Sequence, residues 1–155
     1  MLVWVKPTDS LVEEVARNMR KEDAEEVWAS DHQTPLEALQ MSLEVSAYSA
    51  VAVVDSGDPI AVAGLRNGDL LTGCGVIWML GTELSATRYK KEYLIQGKKI
   101  IDEALTVYPR LVNRVHSKNK GSIRWLRRMG FTVGDPFPHG PERELFHPFH
   151  IERSA

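Results

Sequence analysis

The chain has little cysteine, little excess charge and no long apolar run. One cysteine among 155 residues excludes an internal disulfide framework and is typical of a reducing compartment. A net charge of −2 gives no reason to expect general nucleic-acid binding. No stretch approaches roughly 18 uncharged apolar residues, and the first ten residues lack the basic start of a secretory signal. We therefore predict no membrane span, and a protein that works in a cytoplasm or is packaged in something assembled there.

Metal-ligand and thiol chemistry also have little support. His139, His147 and His150 are spaced too loosely for a known zinc pattern, so we predict no metal site. Cys74 lies between two glycines with no base beside it, which favours a small structural residue. With 43% hydrophobic and 26% charged residues, the length predicts one globular domain over residues 1–155.

Hydrophobic spacing and turn residues predict an α+β fold. The pattern Thr34-Pro35-x-Glu37 is typical of a capping box that opens a helix. Gly97 weakens the predicted helix over 84–107, so we expect a kink or an end there. The predicted strands cover 2–6, 49–54, 60–65, 75–80, 112–115 and 144–151, and the other helices cover 9–19, 23–29, 35–46 and 120–129. Paired strands followed by a βαβ unit and a hairpin-like end favour a mixed, mostly antiparallel sheet.

The stretch 112–131, VNRVHSKNKGSIRWLRRMGF, is the most informative part of the chain. It predicts a strand, a turn with an N-cap at Asn119, and an amphipathic helix that ends at Gly130. From these residues alone, a βαβ fragment of any α/β domain explains the pattern equally well.

The spacing of this stretch resembles the closing motif of the GNAT N-acyltransferase superfamily. The residues that carry the resemblance are Asn119, Ser122, Ile123, Leu126, Gly130 and Phe131. With NMRKEDAEEVW (18–28) and GVIWMLGT (75–82), the chain is similar to a phage-encoded branch of that superfamily, which includes internal virion protein A of short-tailed phages. The resemblance implies a GNAT-like acyl-CoA N-acyltransferase fold, a twisted sheet flanked by helices.

The resemblance also implies a cleft for acetyl-CoA, used as co-substrate, where two neighbouring parallel strands splay apart. The strand over 76–80 would offer the donor its backbone, and the following helix start would hold the phosphates. The residues implied as cofactor-binding are Met79, Leu80, Gly81, Thr82, Arg88, Lys90, Asn119 and Ser122. The usual phosphate loop, Arg/Gln-x-x-Gly-x-Gly/Ala, is missing, because the next glycine after Gly81 is Gly97. Arg88 and Lys90 are equally explained as the solvated face of a helix.

Two residues are candidate general bases for deprotonating an amine. His116 ends the strand before Asn119, although a histidine satisfied by a neighbouring carbonyl explains it as well. Glu26, with Glu25 and Trp28, lies where the family forms the wall of its acceptor-substrate site, although such a cluster is also typical of the solvent-exposed face of a helix. The family's usual proton-donating tyrosine is replaced by Leu126, which cannot donate a proton.

The sequence leaves three functions open. The first is a phage-type N-acetyltransferase that moves an acetyl group from acetyl-CoA to a small-molecule or protein amine. The alternative is a catalytically inactive GNAT-fold phage protein that acts inside the virion or on host proteins, either of which could form an oligomer. A module that binds another small molecule in the same cleft is a third possibility. Each depends on one spatial expectation: the strands that end at Leu80 and His116 run side by side and diverge.

Overall fold

The structure is a computed structural model that describes residues 1–154. It consists of one mixed sheet with helices on both faces, as predicted. The elements in chain order are β1 Leu2–Val5, α1 Asp9–Arg17, α2 Lys21–Asp31, α3 Pro35–Val45, β2 Tyr48–Val54, β3 Pro59–Asn67, β4 Gly75–Gly81, α4 Glu83–Ala86, α5 Lys90–Val107, β5 Arg110–His116, α6 Lys120–Arg128, β6 Thr132–Val133, β7 Phe137–His139 and β8 Glu144–Glu152.

The eight strands form a single sheet with the order β1-β2-β3-β4-β5-β8-β6, and β7 pairs with β8. Between residues 1 and 154, β4 and β5 make the one parallel pairing, and every other pairing is antiparallel. The prediction of a mixed, mostly antiparallel sheet is therefore confirmed. The long α5 makes the crossover that a parallel pair requires.

Each face of the sheet has its own apolar core. On one face, Val15 of α1 and Leu39 of α3 pack on Val62 and Leu80 of the sheet. On the other face, α5 and α6 cover a second cluster, to which Ile77 and Leu111 belong. The side chains of β4 alternate between the two faces, so the strand contributes to both cores.

The local start and stop signals form as the sequence predicts. Glu37 N donates to Thr34 Oγ1 at 3.2 Å and Thr34 N donates to Glu37 Oε1 at 3.0 Å, which completes the capping box. At α6, Ser122 N donates to Asn119 Oδ1 at 3.4 Å. Gly130 ends that helix with a φ of 102°, a conformation that glycine adopts without strain.

The prediction for 84–107 is wrong in two respects, the unbroken start of the helix and the kink or end expected at Gly97. The segment is divided into α4 and α5 by residues 87–89, whereas α5 continues through Gly97 without a break. A Cβ at Gly97 would lie 2.7 Å from Trp125 Cζ2, so glycine is required there for the close packing of α5 against α6. The Pro-rich stretch 134–143, which the sequence predicts as a loop, contains a short strand, β7, which pairs with β8.

Residues 1–154 contain neither a membrane-spanning helix nor a cluster of metal ligands. None of the helices there is both long and apolar enough to cross a membrane. No three histidine, cysteine or acidic side chains within the same range come together as metal ligands.

Candidate active site

The parallel strands β4 and β5 pair over a short distance and then separate. Gly75 pairs with Leu111 and Val76 with Val112, and the register goes no further. At the narrow end of the gap, Asn113 Nδ2 donates to the carbonyl oxygen of Ile77 at 2.7 Å. Beyond this contact lies a cleft with a volume of about 620 Å³, which is within the usual range for small-molecule sites. The expected pair of adjacent, diverging strands is therefore present.

Asp23 of α2 bridges the wide end of the cleft. Its Oδ2 accepts a hydrogen bond from Gly81 N at 2.9 Å, and its Oδ1 accepts one from Asn119 Nδ2 at 3.0 Å. Arg20 Nη1 donates to the same Oδ1 at 3.0 Å. Burial raises the pKa of the Asp23 carboxyl, and the Arg20 charge opposes that shift. This carboxylate therefore joins the end of β4 to the start of α6.

Glu26 lies one turn further along α2 and lines the cleft. Its Oε1 accepts a hydrogen bond from His116 N at 2.8 Å and a longer one from Asn119 Nδ2 at 3.4 Å. Burial, followed by the negative charge of Asp23, raises the pKa of Glu26 to about 8. Near neutral pH this carboxyl can therefore both hold and release a proton.

A tyrosine faces the cleft from the opposite side of the sheet. Tyr93 Oη, on α5, donates to Met79 Sδ at 3.2 Å, and a thioether is a weak acceptor. The ring packs edge-on against Trp125, with the centroids 5.8 Å apart. Burial raises the pKa of Tyr93, so the phenol keeps its proton. The Trp125 indole N–H is buried and has no hydrogen-bond partner within residues 1–154.

The free edge of β4 can accept an extended, amide-containing chain. The carbonyl oxygen of Ile77 and the N–H of Gly81 both point towards β5. The first accepts a hydrogen bond from the Asn113 side chain on that side, and the second donates one to the Asp23 carboxylate. Peptide groups of alternate residues point the same way along a strand, so the N–H and C=O of Met79 face the cleft. These groups fit the amides of a pantetheine arm, which would pair with the strand edge as a further strand does.

The structure brings most of the predicted donor-site residues to the cleft. The predicted residues that line it are Glu26, Met79, Leu80, Gly81, Lys90 and Ser122. Asn119 is buried behind them at 1% exposure and is connected to Asp23. Thr82 lies next to the cleft and donates its N–H to the carbonyl oxygen of Ile60 at 2.9 Å. Arg88 is exposed, with its guanidinium 5.5 Å from the centre of the Tyr89 ring.

The two predicted bases face different cavities. The His116 side chain lines a second cavity of about 530 Å³, together with Glu25, Trp28 and Glu144. Its Nε2 lies 2.9 Å from Glu144 Oε1, and this hydrogen bond lowers the pKa of Glu144. The cluster predicted around Glu26 is therefore divided: Glu26 enters the cleft, while Glu25 and Trp28 face the second cavity.

Sequence reasoning missed four residues of the cleft. Arg20 and Asp23 were not singled out, although the three-residue spacing of Asp23 and Glu26 places both on one helical face. The sequence does not single out Tyr93 and Trp125 either, because helical periodicity cannot distinguish an aromatic side chain in a cleft from one in a core.

No protein-family model matches the chain, and no curated protein matches it by sequence. Solved structures do match its fold. A GNAT-family acetyltransferase from Bacillus anthracis aligns with a TM-score of 0.72 at 12% identity, over 97% of this chain and 94% of that chain. Spermidine N-acetyltransferase from Vibrio cholerae, in complex with CoA and spermine, aligns with a TM-score of 0.71 at 9% identity, over 97% and 95%.

A third structure, yncA from Salmonella typhimurium with its cofactor acetyl-CoA, aligns with a TM-score of 0.70 at 16% identity, over 100% of this chain and 97% of that chain. At these identities the likeness establishes the fold. The chain has the GNAT acetyltransferase fold, as its closing motif predicted.

Proposed function

We propose that the protein is an N-acetyltransferase that transfers the acetyl group of acetyl-CoA to an amine. The observation that carries this proposal is the cleft between β4 and β5, which has a titratable carboxyl, Glu26, on one side and a half-buried phenol, Tyr93, on the other. Attack by an amine on a thioester needs a proton acceptor and benefits from a proton donor. The cleft supplies both.

The donor would occupy the edge of β4 and the start of α6. Met79 offers its peptide N–H and C=O, and Leu80, Gly81 and Ser122 form the adjoining walls. Lys90, at the first position of α5, lines the cleft and can pair with a phosphate. The remaining predicted donor residues lie next to this path: Thr82, Arg88 and Asn119.

Glu26 would act as the general base. In its ionised form it accepts the proton that the amine nitrogen loses as the N–C bond forms. Its pKa of about 8 places this ionisation near neutral pH, where a base is most effective. His116 would be a positioning residue, because its backbone N–H fixes Glu26 Oε1 at 2.8 Å while its imidazole faces the second cavity.

Tyr93 would donate its proton to the sulfur that departs as the C–S bond breaks. The raised pKa of the phenol keeps the proton in place until a strong base, such as a thiolate, forms beside it. The proton count is then balanced, since Glu26 gains one proton from the amine and the sulfur gains one from Tyr93. This donor takes the place of the tyrosine that the closing motif lacks at Leu126.

Free-thiol release from acetyl-CoA in the presence of amine acceptors tests the proposal. We expect Tyr93→Phe to lower kcat by about 100-fold, the size of a general-acid contribution, and to leave acetyl-CoA affinity unchanged. Tyr89→Phe is the matched control, because Tyr89 lies at the start of the same helix and does not line the cleft. Equal activity of the Tyr93 and Tyr89 variants would remove Tyr93 from the chemistry.

One observation favours a second function without catalysis. The residues Gly81 and Thr82 are predicted to bind the donor, but their N–H groups already donate hydrogen bonds to the Asp23 carboxylate and the Ile60 carbonyl oxygen. A GNAT-fold protein that does not bind acyl-CoA fits this arrangement, and the resemblance to the phage-encoded branch gives it a role in the virion or on host proteins in the cytoplasm. Calorimetry with millimolar acetyl-CoA separates the two functions: saturable binding supports the enzyme, and no heat of binding supports the inactive protein.

A further inference from the structure

On the face of the sheet that carries α2, two strand residues of the cleft carry guanidinium groups that no carboxylate neutralises. Arg66 of β3 and Arg114 of β5 both line the cleft. Neither side chain makes an ion pair or a hydrogen bond to any group within residues 1–154. In contrast, Arg20 is paired with Asp23 at 3.0 Å, and Arg110 with Glu152 at 3.3 Å.

Both arginines lie on the face of the sheet that carries α2. Val62 packs under α1 and α3, and Arg66 points the same way because it is an even number of residues further along β3. Leu111 and Val115 of β5 pack in the opposite core, so Arg114 between them points towards α2. Glu26 enters the cleft from α2, so the two guanidinium groups and the proposed base share one space.

The charges in this space give a positive excess. Asp23 neutralises Arg20, and Glu26 with its pKa of about 8 is mostly protonated at neutral pH. Asp31 is then the one remaining carboxylate that lines the cleft within the described chain. The cations that line it without an ion pair among the described residues are Arg66, Lys90, Arg114, Arg124 and Arg128. A polyamine would bring further positive charge into this field and would be repelled.

We infer that the acceptor is a small amino acid, a primary amine that also carries a carboxylate, and that Arg114 and Arg66 bind its carboxylate. Arginine pairs with carboxylates through two parallel hydrogen bonds, which fix orientation as well as position. The carboxylate held by these residues would direct the amine towards Glu26. This inference rests on the proposed transfer from acetyl-CoA, and it adds the chemical class of the acceptor.

Matched acceptors test the inference with the full chain. Thiol release is measured with standard L-amino acids, with the corresponding amino-acid amides, which keep the amine and lose the carboxylate, and with spermidine. We expect the best amino acid to exceed its own amide in kcat/KM by at least about 10-fold, because the amide loses the charge-assisted hydrogen bonds to the guanidinium groups. Spermidine should be the poorer substrate.

Two variants locate the effect. Arg114→Gln should lower kcat/KM for the amino acid by about 10- to 100-fold, the range for loss of a charge-assisted pair, and leave the amide unchanged. Arg110→Gln is the control, because Arg110 lies on the same strand and face but is paired with Glu152 outside the cleft. It should change neither acceptor.

The outcomes separate this inference from the proposed function. Transfer to amides or spermidine as fast as to amino acids would overturn the inference alone and leave the acetyltransferase in place. An equal loss with both acceptors in Arg114→Gln would also overturn it. If no acceptor releases thiol and acetyl-CoA does not bind, both the inference and the proposed function are wrong.

Discussion

Replacing Glu26 by glutamine should make the protein more stable, by an amount that grows with pH. The amide keeps an oxygen to accept the hydrogen bond from His116 N, but it carries no charge to be desolvated. In the wild type the folded-state pKa is raised from 4.5 to about 8. The folded state therefore binds more protons than the unfolded chain between these values, and stability falls as pH rises through this window.

The magnitude follows from the same two pKa values. Linkage gives a loss of about 3 kcal/mol of unfolding free energy between about pH 5 and pH 8 in the wild type, which the glutamine variant lacks. For a chain of 155 residues, 1 kcal/mol shifts Tm by roughly 3 °C, so the variant should gain roughly 10 °C relative to wild type over this interval.

Thermal and urea unfolding at the two pH values measure the effect. Glu25→Gln is the matched control, because Glu25 is its neighbour on α2 but is exposed and 3.8 Å from Lys21 Nζ. Its Tm should follow that of the wild type at both pH values, since exposed pairs contribute little. A Tm difference between wild type and Glu26→Gln that stays constant with pH would refute the argument that Glu26 is desolvated in the cleft.

Three further variants test the packing and the caps. Gly97→Ala should lower the free energy of unfolding in urea by about 1–3 kcal/mol, because the added Cβ would lie 2.7 Å from the Trp125 ring. This loss should exceed the gain from the better helix propensity of alanine. A more stable variant would show that the ring moves freely. Asn119→Ala should cost about 2–3 kcal/mol, since it removes one of the three donors to the buried Asp23 carboxylate and also uncaps α6. A loss under half that size would contradict the role of Asn119 in this network. Thr34→Ala should cost about 1 kcal/mol, because it removes the side-chain cap of α3. An unchanged Tm at neutral pH would contradict this prediction.

The parts of the fold with local signals could be predicted from the sequence. The capping box at Thr34, the N-cap at Asn119 and the glycine end of α6 are each decided by a few neighbouring residues, and all three form. The break at residues 87–89 contains neither glycine nor proline, so no local signal marks it. Gly97 is a misleading local signal, because it does not end the helix. Glycine is needed there because the ring of Trp125, on α6, packs against it.

The candidate site was predicted only in part, because its chemistry arises between elements that are distant in sequence. The order of strands indicated which edges form the cleft. Asp23 contacts Gly81 and Asn119, which are 58 and 96 positions away, and no pattern along α2 encodes those contacts. Tyr93 likewise becomes a candidate proton donor only after α5 is placed over Met79.

The central claim is that the gap between β4 and β5 holds the acyl donor. A titration of the labelled protein with acetyl-CoA, followed by NMR of the backbone amides, tests it most directly. We expect saturable shifts concentrated at Met79 and Gly81 on one strand and near Asn113 and Ser122 on the other side. Shifts confined to the second cavity around Trp28, or no shifts at millimolar acetyl-CoA, would contradict it.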